Sequence, residues 1–492
     1  MRSRHQAKKA PSGTVVSWLL TLAVMMTSFL SVGVWAQRAP TTPDAPWLPD
    51  HHSLERHTTA VASHEVSIHS EHIYSLGELI DIAESNSPVT KAAWNRAKVT
   101  AASVGIAKSE LYPTIIATVS GRTFLNPQLF YQTFVLQDWG IFDAEVHLAY
   151  TLVDFGARRT EITAAQARLV AANLSFNNEH LILIRQVSTA YFSLLNARGL
   201  REAAEVSLND ARTTEAAAQE RRNNGLATVP EVLEAKAATA KAVYDLQSAI
   251  GAEQVETGNL AEAITANPVR PLKVEPLDQL RIPDKLDQSV EDAINTAFKD
   301  RPDLQADQAR VSAAQAEVKH AQSFYYPSLT FDGSKGWIRG FGEQYGSPGT
   351  YAHTPTYDAT LGLKWTVFDG FRRENSISQA KSEEKVATEE VHDRQDEITN
   401  QVWSEYTAAA TALQQRQAAA ALLNASSESY SAALESYKEG VRNFLDVLAA
   451  ENALAQARAI DVTARTQVLR TFTDLEFRTG DLLANHPRGN HP

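Results

Sequence analysis

Residues 157 to 222 contain no proline and a single glycine, Gly199. An uninterrupted helix over that run spans roughly 100 Å at 1.5 Å per residue, which no ordinary globular domain accommodates. Its apolar positions form two heptad seams, one through Leu181, Ile184, Tyr191 and Leu195, the other through Leu183, Val187, Ala190, Leu194 and Ala197. A helix in a two-stranded coil needs one seam, whereas a helix in the wall of a cylinder needs one for each neighbour. The abundance of alanine in a chain that is 43% apolar fits thin helix contacts better than a thick core.

The long run has a twin, because the chain is one unit written twice. Ser87-Pro88 and Arg301-Pro302 are separated by 214 residues, as are Tyr112-Pro113 and Tyr326-Pro327. Asp154 and Asp369, Arg158 and Arg373, and Gly225 and Gly440 are separated by 215. A period this long denotes two domain-sized halves and not a solenoid. Each half predicts a short helix, a long helix, two strands joined by a loop, a very long helix, a turn and another long helix. The halves cover 75–265 and 289–480, with a proline-rich linker at 266–288 read as extended surface chain and a polar tail at 481–492.

The strands are the more specific signal. In 143–153, Ala144, Val146, Leu148, Tyr150 and Leu152 alternate with Asp143, Glu145, His147, Ala149 and Thr151. In 356–367, Tyr357, Ala359, Leu361, Leu363, Trp365 and Val367 alternate with Thr356, Asp358, Thr360, Gly362, Lys364 and Thr366. Each run is near the roughly 9 to 11 residues that a tilted barrel strand needs to cross a bilayer, with one face for lipid and one for water. The first strand of each half alternates less cleanly, and Ile116 falls on the wrong face. The step from 214 to 215 puts one extra residue between the paired strands, since a slip inside a strand would turn every following side chain over. Tyr112, Tyr150, Tyr326 and Trp365 fall at the same end of their strands, as an interfacial aromatic belt requires; an ordinary half-buried sheet is the other reading. Four strands cannot close a barrel, for which about eight is the practical minimum, so several chains must contribute.

Other features bound the function. With 46 basic and 58 acidic residues the formal charge is −12, which argues against a nucleic-acid partner. Cysteine is absent, which excludes disulfides, thiolate metal sites and a cysteine nucleophile. Residues 1–36 read as a signal peptide, with Arg2, Arg4, Lys8 and Lys9 ahead of an apolar run and Val34-Trp35-Ala36 at its end; a retained membrane anchor is the competing reading. The segment 37–74 is rich in proline and histidine. His51, His52, His57, His64, His69 and His72 suit no compact metal site, so an extended linker is preferred to a metal centre. Asp154-Phe155-Gly156 ends a strand and lacks the loops of a kinase, and no phosphate-binding loop occurs, so any energy comes from a partner. No catalytic constellation and no cofactor motif is found, and an enzyme is not expected.

The two Tyr-Pro strand starts, "LVDFGARR" and "VFDGFRR", "RPDL" at 301–304, and the bends "GLATVPEVL" and "GVRNFLDVL" together resemble the TolC-type outer-membrane efflux proteins over residues 75 to 480. That resemblance implies a mainly α fold with a transmembrane β-barrel part. Three chains would complete a twelve-stranded barrel in the outer-membrane lipid, continued by an α-helical barrel of coiled hairpins in the periplasm. It implies a passive exit duct for a tripartite efflux or type I secretion system. The partners would be a homotrimer, a periplasmic adaptor (membrane fusion) protein and an inner-membrane pump such as an RND or ABC transporter. Gly225, Leu226, Thr228, Gly440 and Val441 would form the adaptor-docking tip.

The resemblance also implies a periplasmic gate. Tyr437 and Arg442 match residues that hold the entrance closed against an acid on the adjacent hairpin, here Glu231, and Asp446 matches an inward aspartate ring. The chain departs from the family at Ala449, where a second ring aspartate would stand, and in having Glu for Asp at 231. Thr228 with Glu231 is also a capping-box pattern and Asn443 to Asp446 a helix start, so capping is a second reading for both acids. The rival to a duct is a secreted coiled-coil scaffold or adhesin without a pore, which needs no lipid-facing strands.

Overall fold

The structure is a computed structural model that describes residues 68–69, 71–344 and 349–482. The signal peptide, the linker before residue 68, His51, His52, His57 and His64, and the tail after residue 482 lie outside the described residues. The chain divides after His64, and everything described belongs to the part that follows.

Each half follows the predicted order. In the first, β1 (Ile73–Tyr74) leads into α1 (Leu76–Asn86), α2 (Pro88–Ser109), β2 (Thr114–Phe130), β3 (Thr133–Val153), α3 (Ala157–Asn223) and α4 (Val229–Ala263). In the second, β4 (Lys273–Val274) precedes α5 (Val290–Asp300), α6 (Pro302–Ser323), β5 (Ser328–Gln344), β6 (Thr350–Lys364), α7 (Arg372–Lys438) and α8 (Phe444–Thr479). Local chemistry fixes the starts. Ser75 and Glu78 close a capping box on α1, and Pro88 and Pro302 occupy the first turns of α2 and α6, where a missing N–H costs nothing. The helices α3 and α7 each run 67 residues, about 100 Å.

The strand-to-helix corner is duplicated in backbone but permuted in sequence. Phe155 and Gly156 take φ of 50° and 101°, while Gly370 and Phe371 take 68° and 65°. Two successive left-handed residues turn the chain, and one non-glycine is strained in each copy. The flanking ion pair locks the corner. Arg158 Nε lies 2.5 Å from Asp154 Oδ2, and Arg373 Nε 2.9 Å from Asp369 Oδ2. That is the structural meaning of the DFG-like triplet.

The four long strands form one antiparallel sheet in the order β2-β3-β5-β6, so β3 and β5 join the halves and β2 and β6 are edges. Thr114 pairs with Ala149; their counterparts 214 and 215 residues on, Ser328 and Lys364, pair likewise. Neither hairpin shows a register shift, so the extra residue falls between Gly342 and Thr350, the last pair of the second hairpin. Side chains sort by row. Ile115, Leu148, Gly333 and Ala359 share one face, as do Tyr150, Phe331 and Leu361; Thr114, Ala149, Asp332 and Thr360 share the other. Ile116 sits on the polar face beside His147, and Lys335 is an exception on the apolar one.

Three expectations are corrected. The strands span 15 to 21 residues, not 9 to 11, because the expected loop at 124–140 pairs residue by residue and leaves only Tyr131 and Gln132 in the turn. Trp365 and Val367 lie beyond the end of β6, where the chain bends toward the Asp369 corner. The proline-rich linker is not merely surface chain: Lys273–Val274 pairs in parallel with Ile73–Tyr74, and Leu272, Val274 and Leu277 are buried.

Those linker residues explain the double seam. The side chains of Leu181, Leu183, Ile184, Val187, Tyr191, Leu194 and Leu195 are buried together with Leu79 and Ile80 of α1, Leu260, Val274 and Leu469. Both seams are therefore covered at this level by the short helix, the linker and α8 within one chain, and the core there is thick. Elsewhere contacts are thin, and α7 buries Ala380, Ala409, Ala412, Ala419 and Ala433. Gly199 permits the closest approach, since a Cβ there would lie 2.6 Å from Val462 of α8. Above this belt the packing order is α2-α3-α6-α7, and below it α4-α3-α8-α7.

Candidate functional site

The two bends share one backbone. Gly225 and Gly440 have φ of 75° and 78°; Leu226 N donates to Arg221 O and Val441 N to Ser436 O, each at 2.8 Å. Such helix ends need a left-handed residue that glycine supplies without strain. Leu226 and Val441 project from the bends, 64% and 79% exposed.

Side chains cross between the hairpins at this end. The Tyr437 ring is buried against Phe444 in an edge-on contact at 5.6 Å, and its hydroxyl donates to Glu231 Oε2 at 3.1 Å. The other Glu231 oxygen accepts from Thr228 N at 3.2 Å and Thr228 Oγ1 at 3.0 Å. One carboxylate thus caps α4 and reaches the opposite hairpin, so the capping contact and the contact between hairpins coexist. Burial pushes the Glu231 carboxyl up, but the hydrogen bonds from Thr228 and Tyr437 and the Arg221 charge outweigh it and hold it below the usual glutamate value. Burial, then the Glu231 carboxylate, push the Tyr437 hydroxyl above the ordinary tyrosine value.

Of the four expected gate residues, the structure brings Tyr437 and Glu231 together but not Arg442 and Asp446. Both are exposed, and neither side chain makes an ion pair or hydrogen bond among the described residues. Asn443 Oδ1 caps α8 by accepting from Asp446 N at 2.9 Å, which leaves the Asp446 carboxylate free.

Sequence reasoning missed Arg221. Its Nη1 donates to Tyr437 O at 2.7 Å and Lys438 O at 2.9 Å, its Nη2 to Leu226 O at 3.3 Å, and the guanidinium lies 4.7 Å from the Tyr437 ring centroid. It caps the last carbonyls of α7, where a helix end favours a cation. The available signal was asymmetry: the residue 215 positions on is Ser436.

At the far end of the helices, Tyr112 and Tyr326 precede β2 and β5 and are 71% and 58% exposed. Tyr150 lies within β3, with the Arg158 guanidinium 5.9 Å from its ring centroid, and Trp365 Nε1 donates to Tyr325 O at 3.1 Å. Tyr326 stacks on Phe155 of the duplicated corner at 5.5 Å. The four aromatics therefore gather where sheet meets helices. His72 of the histidine-rich segment contacts Glu78 at 3.0 Å, and among the described residues no group of three or more His, Asp and Glu could hold a metal ion. No described helix is long and apolar enough to cross a membrane.

A model of the outer membrane efflux protein family matches residues 79–264 and 293–481. Protein CyaE of Bordetella pertussis is 30% identical over 314 residues, 63% of each chain, so that match spans less than two thirds of the relative. The outer membrane efflux protein BepC of Brucella suis is 23% identical over 83% of this chain and 86% of that one. Among solved structures, the outer membrane protein VceC of Vibrio cholerae superposes with a TM-score of 0.68 at 20% identity, covering 82% of this chain and 96% of that one.

Proposed function

The chain belongs to the outer membrane efflux protein family, and on that premise we propose that three copies form a passive exit duct closed at the tip where each chain's two hairpins meet. The duct lies in the outer membrane and reaches into the periplasm. One observation carries the reading: the sheet has an apolar outer face and two open edges, β2 and β6. Unpaired edges cannot stand in lipid, and β6 runs antiparallel to β2, so copies can add edge to edge until the ring closes. Two copies would give eight strands, a barrel that side chains fill; three give twelve and leave a lumen. The only long-strand prolines among the described residues, Pro127 and Pro355, fall on the edge strands, where the inner ladder is undisturbed. Below the sheet, four helices abreast per chain supply twelve to the wall.

The exposed Leu226 and Val441 suit docking of a periplasmic adaptor protein, which links the duct to an inner-membrane pump of the RND or ABC type that supplies the energy. The gate consists of Tyr437, Glu231, Arg442 and Asp446, and Tyr112, Tyr150, Tyr326 and Trp365 form the aromatic belt. Heat-resistant trimer on a gel tests the barrel. Val119→Arg, on the apolar face in the middle part of β2, should cost about 2 to 4 kcal/mol and reduce the trimer, while Thr360→Arg on the polar face is tolerated. Equal loss for both would show the faces misassigned, and recovery of the wild type as soluble periplasmic protein would favour a scaffold.

A further inference from the structure

The tip contact has an unassigned counterpart higher in the same seam. Tyr430 stands seven residues before Tyr437 on α7, so both rings point the same way. The Tyr430 hydroxyl donates to Asp210 O at 3.2 Å and lies 3.1 Å from Thr214 Oγ1, both on α3 of the other hairpin. From α8, Arg458 Nη1 reaches Asp210 Oδ2 at 2.6 Å and Ser207 Oγ at 3.3 Å. Thr214 is 1% and Tyr430 7% exposed, and Thr214 sits eleven residues from Gly225, roughly 16 Å above the bend. Around them the hairpins touch through Ala217, Ala218 and Ala433, which interlock little. The directional bonds between the hairpins at this level are these polar ones.

We propose that Asp210, Thr214, Tyr430 and Arg458 form a second latch between the two hairpins of each chain, which must release together with the Tyr437–Glu231 contact when the duct opens. The proposal rests on the duct reading and extends its gate to positioning residues above the tip.

The same seam holds Glu451 of α8, 8% exposed, with Oε2 buried and without a hydrogen-bond partner. Facing it are Asp210 and Thr214 of α3; Tyr430 comes from α7, Arg458 from its own helix, and Glu234, Lys241 and Asp245 of α4 line the adjoining groove. Arg458 is engaged by Asp210. Burial, and then the Asp210 charge, push the Glu451 carboxyl above its ordinary value, against the Thr214 hydroxyl. If the carboxyl returns to its ordinary value when the hairpins part, the closed state binds the proton more tightly. Closure is then fully supported below the ordinary glutamate value and weakens as pH rises through the raised one.

The chain has no cysteine, so an Asp210→Cys, Arg458→Cys pair provides unique thiols. In planar bilayers, full-length trimers of this variant should conduct several-fold more than wild type. Bridging the thiols with a short, reducible bis-methanethiosulfonate reagent should return conductance to the wild-type level, and reductant should raise it again. Tyr430→Phe should raise it about two- to tenfold and multiply with Tyr437→Phe. Wild-type conductance should increase as pH rises above the ordinary glutamate value, and Glu451→Gln should flatten that profile. Intact trimers of the wild type and of every latch and tip variant that all pass no current would sink the duct and the latch together. A conducting Asp210→Cys, Arg458→Cys variant whose gating is unmoved by bridging, with the cross-link verified on a gel, would sink the latch alone.

Discussion

The two bends of the chain are copies with the same backbone and opposite side-chain behaviour. Glu231 and Asp446 occupy equivalent positions, 215 residues apart, each three residues after its helix cap at Thr228 or Asn443. The glutamate reaches back to Thr228 with one oxygen and across to Tyr437 with the other. The aspartate is one methylene shorter; Asn443 caps its helix instead, and its carboxylate stays in solvent. One bend thus spends its acid on a contact between the hairpins, and the other leaves its acid in solvent. A second asymmetry reinforces the first, since Arg221 clasps the end of α7 while its counterpart Ser436 has no such reach. Duplication supplied the scaffold, and small changes in side-chain length divided the labour.

The largest expected effect comes from removing the clasp. Arg221→Ala deletes three hydrogen bonds and the charge over Tyr437, a local loss on the order of 3 kcal/mol. Hydrogen exchange in purified trimers should quicken at 221–231 and 437–447. Arg442→Ala, at an exposed side chain without an intrachain partner, should leave exchange within each chain much slower than in the clasp variant. Equal acceleration would erase the distinction between the bends.

Exchanging the acids tests the comparison itself. Glu231→Asp cannot both cap and cross, which should loosen the tip by about 1 to 2 kcal/mol and raise conductance. Asp446→Glu should fold back onto its own helix start and weaken block by multivalent cations. Asp446→Asn should weaken that block further, because three converging carboxylates at a narrow pore are the strong cation site of the proposed gate. If cation block survives both changes, the ring lies elsewhere.

The smallest effect is an acid one. Hydrogen bonding holds Glu231 below its ordinary value in the closed tip, so its contribution is complete above that value, about 4.5, and is lost as pH falls through the depressed one. Strong acid should therefore loosen the tip contact, the opposite sign to the buried Glu451 higher up. Exchange at 228–231 measured below about pH 4 reads it, and Glu231→Gln should abolish the dependence.

How much of this the sequence displayed depends on whether a feature repeats or differs. The long helices, the strand faces, the bends and the insertion between strands were legible because each appears twice and obeys a period. Strand length was not, since 124–140 lacks clean alternation once it no longer has to serve lipid and water on opposite faces, yet cross-strand pairing continues to Phe130 and Thr133. The linker misled because prolines signal extended chain without saying that Leu272, Val274 and Leu277 point into a core. Tyr437 and Glu231 were singled out through the family resemblance, counted from the two glycines. Arg221 showed only as an asymmetry with Ser436, because its partners are backbone carbonyls, which carry no sequence signature. Asp210, Thr214, Tyr430 and Arg458 meet only through the packing of separate hairpins.

The central claim is that contacts between the two hairpins of each chain close the duct. Single-channel recording of Tyr437→Phe in planar bilayers tests it most directly. Loss of the tyrosine hydroxyl's bond in three copies, each bond worth roughly 0.5 to 3 kcal/mol, should shift the closed tip toward open and raise conductance severalfold or more while heat-resistant trimers persist. Wild-type conductance from intact trimers of this variant would contradict the account, leaving Tyr437 and Glu231 as packing and capping residues.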